Sequence, residues 1–273
     1  MPKNIEEIEF TIFDTETTGL NPAQGDRIVE IAGLRIIGNQ KIGTFHSLVN
    51  PKREISPAAF AVNKITPEML ENAEDISMVL PRFLKFISGS CLCSYNARFD
   101  LDFLNNELKN PSFSKENGII VLDILTMARR LLPDLSSHAL CAVSKELGIS
   151  KPQQHRALAD VEMTWEVFNR LKAMCSEKGV CGFTNFSNLF AFNPLYLETS
   201  NEEKSGIIQK CIDTKGQLKL LYISSVGFEV TKRNVLPGSI RVDKKHRYLT
   251  GYCCLKKQER TFRLDNILQI EIV

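Results

Sequence analysis

Eight cysteines occur in 273 residues, yet no two form a CxxC pair and none fall into paired zinc-finger spacing. That removes a structural zinc module, and free thiols in a reducing, cytoplasmic compartment are expected. No apolar run reaches the roughly 18 residues of a membrane helix, so no membrane partner is expected. The opening MPKNIEEIEF lacks the layout of a signal peptide. Internal repeats and low-complexity tracts are also missing, which argues against a solenoid or a disordered chain. What remains is ordinary globular composition, 43% hydrophobic and 24% charged, enough for one large domain or two smaller ones.

The net charge of +2 hides an asymmetry. Residues 201–273 carry 14 Lys and Arg against 8 Asp and Glu, a net +6, and residues 1–200 carry 20 against 24, a net −4. An acidic part attracts metal, and a basic tail attracts phosphate.

The pattern predicts strands at 10–16, 27–37 and 41–49, the last two joined by a Gly38-Asn39 hairpin turn. Helices are expected at 67–71 and 76–87, then a short strand at 91–94 and a helix opened and capped by Asn96 that runs to 109. A strand at 119–123 leads to a helix at 124–132, stopped by Pro133. Ser136 or Ser137 caps the next helix, which Gly148 ends, and a long helix covers 157–178. A hairpin followed by strands alternating with helices implies an α/β fold with a mixed sheet flanked by helices. From 179 to 205 the periodicity dissolves into an Asn-, Ser- and Phe-rich linker. After a short helix at 206–211, strands near 217–224, 228–236, 239–243, 247–255 and 259–263 suggest a small, mostly β barrel. The expected division is therefore 1–178, a linker 179–205, and 206–273.

The stretch FTIFDTETTGL, residues 10–20, anchors the chain. Asp14 and Glu16 are two apart on an apolar strand, so they share a face, roughly 6.5–7 Å apart. Paired carboxylates there repel unless a cation lies between them, and oxygen donors select a hard ion such as Mg²⁺. SYNARFDLDFL, residues 94–104, places Asp100 in the first turn of a helix, where the dipole favours an acid. HRALADVEMTW, residues 155–165, puts Asp160 inside a helix with His155 just before it.

In that order the three stretches resemble the histidine-bearing branch of the DEDD exonuclease superfamily, the branch of the proofreading epsilon subunit of bacterial replicative polymerase. The likeness spans about residues 8–172. Arg156 stands where the tyrosine-bearing branch carries Tyr, and Asn63 stands where relatives often carry His. The resemblance implies a ribonuclease H-like fold and a 3′→5′ exonuclease that releases nucleoside monophosphates from single-stranded DNA or DNA 3′ ends, DNA favoured over RNA; the alternatives are an RNA-directed 3′→5′ exoribonuclease and a ligand-regulated nucleic-acid-binding protein with a subordinate nuclease. It implies that Asp14, Glu16, Asp100 and Asp160 hold two divalent cations, Mg²⁺ or Mn²⁺, that His155 is the general base, and that Thr17, Thr18 and Leu20 contact the terminal nucleotide. A polymerase partner is compatible with it, and Phe103 is expected in the core.

Residues 220–237, 247–257 and 260–267 resemble the WYL domain, an Sm-like barrel of nucleic-acid-linked regulators, with Arg247 in place of its Trp. That resemblance implies a nucleic-acid or ligand groove around Arg233, Tyr248, Arg260 and Arg263. Arg and aromatic side chains suit phosphate and base stacking.

Overall fold

The computed structural model describes residues 3–108, 119–150, 153–192, 194–224, 228–243 and 246–273. The expected end at 109 of the helix opened by Asn96, and the expected breaks between tail strands at 226–227 and 244–245, lie outside them. Strand β1 (Glu9–Thr17) forms because Phe10, Thr11, Ile12 and Phe13 are buried on both faces. It pairs antiparallel with β2 (Ile28–Ile37), which turns at Gly38 into β3 (Gln40–Asn50). Gly38 takes φ +56°, the left-handed value this two-residue turn demands. On the far side of β1 lie β5 (Cys91–Ser94) and β6 (Val121–Asp123), both parallel to it. A two-residue β4 (Glu74–Asp75) completes the order β4-β3-β2-β1-β5-β6, a mixed sheet as expected.

Alternation along β1 sends its residues to two cores. Phe10 and Ile12 pack beneath α7 (Ala157–Glu177) with Val161, Val167 and Phe168. Phe13 packs with α3 (Ile76–Ile87) and α4 (Ala97–Leu108) through Phe83 and Phe103. Phe103 is a core residue, as expected. Asp14 and Glu16 continue the α7 face, and Thr15 continues the α4 face. Between β3 and α3 lie α1 (Pro57–Asn63), which Ser56 caps and Pro57 opens, and α2 (Pro67–Leu70).

Two expected caps differ. Asn96 does not cap α4; it sits at φ +70°, and the amides of Asn96 and Ala97 donate to Asp123 Oδ1 at 3.2 Å. Asp123 also precedes α5 (Ile124–Leu131). Next, α6 (Leu140–Glu146) starts later than Ser136 or Ser137, after Ala139, without a side-chain cap.

The segment 179–205, expected as a linker, is largely helical. It contains α8 (Phe183–Phe190) and the first half of α9 (Pro194–Asp213). Phe186 and Phe190 are buried in the α7-side core, so tertiary packing overrides the weak local pattern. The tail is an antiparallel sheet of β7 (Leu218–Ile223), β8 (Val230–Asp243), β9 (His246–Cys253), β10 (Gln258–Arg263) and β11 (Ile267–Ile272), in the order β10-β9-β8-β7-β11. The two strands expected at 228–236 and 239–243 are one strand with an irregularity at Pro237–Ser239, and β11 was not anticipated. Among the described residues β10 and β11 do not pair, so the sheet is open where a closed barrel was expected. One face of the sheet packs on α9 through Leu218, Leu220, Val235 and Leu249. Ile223, Phe228 and Leu268 join the α7-side core instead, so tail and first domain share packing. All eight cysteines are free thiols, and no helix among the described residues is long and apolar enough to cross a membrane.

Candidate active site

The C-terminal end of β1 and the N-terminal turn of α7 bring Asp14, Glu16 and Asp160 together, with one carboxylate oxygen of each within 4.8 Å of the others. Burial first, then the charges of Asp100, Glu16, Asp160 and Glu30, push the Asp14 carboxyl well above its ordinary range. Glu16 is pushed up to about 8, by burial and then by Asp160, Glu30 and Asp100, with Arg156 opposing. Three crowded carboxylates with this much electrostatic strain fit a divalent cation: the donors are all hard oxygens, and a positive charge relieves both the burial and the repulsion.

Asp100 stands apart from this trio. Its Oδ1 accepts from Thr15 N at 2.9 Å and Thr15 Oγ1 at 2.8 Å, and its Oδ2 accepts from Ser94 Oγ at 2.5 Å. Burial pushes it up to about 6 against those hydrogen bonds. Asp160 accepts from Gln153 Nε2 at 2.9 Å. His155 lies with Nδ1 4.0 Å from Asp160 Oδ2, its side chain 47% exposed and its backbone at φ +51°.

Beside the carboxylates is a cavity of about 630 Å³, whose lining includes Glu16, Thr17, Leu20, Val62, Asn63 and Phe99. Leu20 is 84% exposed at its rim. Thr17 is buried and its hydroxyl donates to Gly19 O at 2.5 Å. Thr18 is turned away: fully buried, it donates to Asp26 Oδ1 at 3.0 Å and accepts from Arg27 N at 3.0 Å. Gly19 is required by this packing, since a Cβ there would meet the Asp26 carboxylate at 2.3 Å. Asn63 spends its amide on the backbone, donating to Thr17 O at 3.3 Å and accepting from Ile65 N at 3.1 Å.

Sequence reasoning missed Glu30. It sits directly opposite Glu16 in the β1–β2 register and is only 1% exposed. Burial would raise its carboxyl, but hydrogen bonds from Arg156, His46 and the Ala157 amide outweigh that and hold it below its ordinary value. A Glu in an apolar strand reads as any half-buried strand residue. Only the register shows that it touches the HRALAD stretch.

The four tail residues do not converge. By pairing register, Tyr248 and Arg263 are cross-strand neighbours on one face, whereas Arg233 stands opposite Leu220 and Arg260 opposite Gly251 on the α9 face. Arg263 donates to Asp265 Oδ2 at 2.7 Å, and Arg233 to Thr231 Oγ1 at 3.0 Å. Tyr248 lies under the Arg241 guanidinium, 5.7 Å from its ring centroid.

Fold and site together present a cluster of three carboxylates at the end of the central strand of a mixed α/β sheet. The chain belongs to the exonuclease family, whose family model matches residues 11–168, more than half of the chain, and it is thus a nuclease. A WYL domain model matches residues 203–272. The chain is similar to a DNA polymerase III of PolC type from Thermotoga petrophila, 32% identical over 92% of this chain and 18% of that protein. It is also similar to a DNA polymerase III subunit epsilon-like protein from Rhodobacter capsulatus, 38% identical over 66% of this chain and 26% of that one. It therefore spans about a fifth to a quarter of the length of these curated relatives. Among solved structures, Escherichia coli exonuclease I in complex with a dA16 oligonucleotide shares the fold, with a TM-score of 0.57 at 20% identity over 90% of this chain and 55% of that one.

Proposed function

We propose that this protein is a metal-dependent 3′→5′ exonuclease that removes nucleoside monophosphates from single-stranded DNA ends. The observation that carries the reading is the convergence of Asp14, Glu16 and Asp160 beside a half-exposed His155 and an open cavity. The DNA assignment draws on the relatives, which are named as DNA polymerase III proteins. Asp14, Glu16 and Asp160, with Asp100 adjoining, would hold two divalent cations, Mg²⁺ or Mn²⁺, which when bound supply Lewis acidity for the attacking water and the leaving 3′ oxygen. His155, whose Nδ1 lies 4.0 Å from Asp160 Oδ2, would take the proton of the attacking water through an imidazole nitrogen. The side chains of Leu20, Val62 and Phe99 offer apolar surface to the terminal base and sugar, and Thr17 and Asn63 shape the floor. We read residues 1–178 as the nuclease and 206–273 as a WYL module of Sm-like topology. Tyr248 and its cationic neighbours offer the module's nucleic-acid surface, and α8 and α9 join the two parts. A polymerase assembly is the natural setting, given the relatives.

The test is polarity and substrate class. A 5′-labelled single strand should shorten progressively from its far end with Mg²⁺ present, and capping the 3′ end with an inverted nucleotide should stop it. Shortening of the 3′-capped strand, or RNA digested faster than matched DNA, would overturn the assignment.

A further inference from the structure

The bonds around Glu30 extend this reading of the active site to a residue outside its carboxylate trio. We infer that Glu30 is a positioning residue that fixes the His155 segment against the metal strand. Its two oxygens take four donors: Oε1 accepts from His46 Nε2 at 2.7 Å and Arg156 Nη2 at 2.8 Å, and Oε2 accepts from Arg156 Nε and Ala157 N, both at 3.0 Å. The Arg156 fork is the bidentate geometry in which guanidinium and carboxylate fix each other's orientation. The Ala157 bond has a separate role. Helix α7 has no side-chain cap of its own, and Ala157 is its first residue. Glu30 therefore caps it from across the sheet, a carboxylate at the positive end of the helix dipole.

Both anchors grip the residues that immediately follow His155. His155 itself sits at φ +51°, a backbone region uncommon for a residue with a side chain and sustained only where neighbouring bonds hold it. Glu30 is paired in register with Glu16, so the same strand pair that carries the carboxylate sets the height of the histidine. His46, reaching in from β3, closes the remaining approach to Oε1. Arg156 spends its Nε and Nη2 on Glu30 and so serves as part of the anchor.

The experiment uses the full chain and single-stranded DNA. Glu30→Gln should lower kcat about 100-fold, the effect of displacing a catalytic group by an ångström or so, with KM for the strand and the Mg²⁺ half-saturation each within about threefold of wild type. In a His155→Ala background the same substitution should cost less than about threefold, because two residues acting through one group are not additive. Arg156→Lys, which keeps the charge and loses the fork, should give a smaller loss of the same kind. In parallel, amide exchange at Ala157 should accelerate at least about tenfold in Glu30→Gln, with the centre of α7, Val167 to Leu171, unchanged. A full loss in the His155→Ala background, a raised Mg²⁺ requirement, or unaltered exchange at Ala157 would overturn the inference. A wild type inert on every nucleic acid would instead sink the nuclease reading, and the exchange measurement would still decide the role of Glu30.

Discussion

Thr15 and Asp100 are joined twice, through the Thr15 amide at 2.9 Å and its hydroxyl at 2.8 Å, both to the same oxygen. The two bonds tie the start of α4 to the strand between Asp14 and Glu16, on the face opposite theirs. Thr15→Val keeps the shape and removes one donor to a charged acceptor, a loss of roughly 1.5–3 kcal/mol of stability. It should also raise Asp100 above about 6, since a donor favouring its charged form is gone. The acid limb of the pH–rate profile should then move to higher pH, and an unmoved limb would contradict this role.

Metal and proton compete for Glu16. Its folded pKa is raised from 4.5 to about 8, so in the metal-free protein it stabilises fully below its unfolded value, and that stability is lost as pH rises through about 8. The chelated protein should therefore melt at progressively lower temperature across that window. The gain from Mg²⁺ should grow over the same range, because binding must displace the proton. Glu16→Gln should flatten both trends and raise the melting temperature of the chelated protein at pH 8. A Mg²⁺-induced shift that shrinks with rising pH would refute the competition.

Much of this site was legible because its chemistry is local. Asp14 and Glu16 are two apart on one strand, Asp100 is in the first turn of α4, and Asp160 and His155 bracket the start of α7. Glu30 was not legible, since its partners Arg156 and Ala157 are 126 and 127 residues away and only strand register brings them together. Helix α8 was hidden for a related reason. Its Asn and Ser weaken the local helical signal, although its phenylalanines are the kind of residue that packs on a domain, and Phe186 does so against Phe10 and Phe168 while Phe190 packs on Phe186. In the tail, the irregularity at Pro237–Ser239 looked like a strand boundary. The split of Arg233 and Arg260 from Tyr248 and Arg263 follows from parity that a slipped register would reverse.

Arg130 links the two parts of the chain. It donates to Leu189 O at 2.9 Å and to Asn266 Oδ1, and lies 5.8 and 5.9 Å from the stacked rings of Phe190 and Phe228. Burial pushes its guanidinium down to about 10. Arg130→Ala should cost roughly 1–3 kcal/mol in a urea melt and open the 179–205 segment to protease. Unchanged proteolysis would show that the shared apolar packing alone holds the tail. The same packing makes removal of residues 201–273 a poor test of tail function, because it cuts α9 and uncovers Phe190.

Substitution is the better probe of the tail surface. Replacing Tyr248 and Arg241 with Ala should weaken binding of long single strands by roughly 1–3 kcal/mol if one base stacks there. The salt dependence should become shallower, since a phosphate contact is lost. Trinucleotide digestion should be unaffected, and an equal loss on long and short substrates would rule out a distal-strand role.

The most direct measurement is single-turnover release of a 3′-terminal labelled mononucleotide from single-stranded DNA, with Mg²⁺ and with EDTA, by the wild type and by Asp14→Asn and Asp160→Asn. The account predicts rapid release by the wild type with Mg²⁺ and none with EDTA, and no release by either folded variant under any condition. Release that survives EDTA, or a variant that matches the wild-type rate, would contradict it.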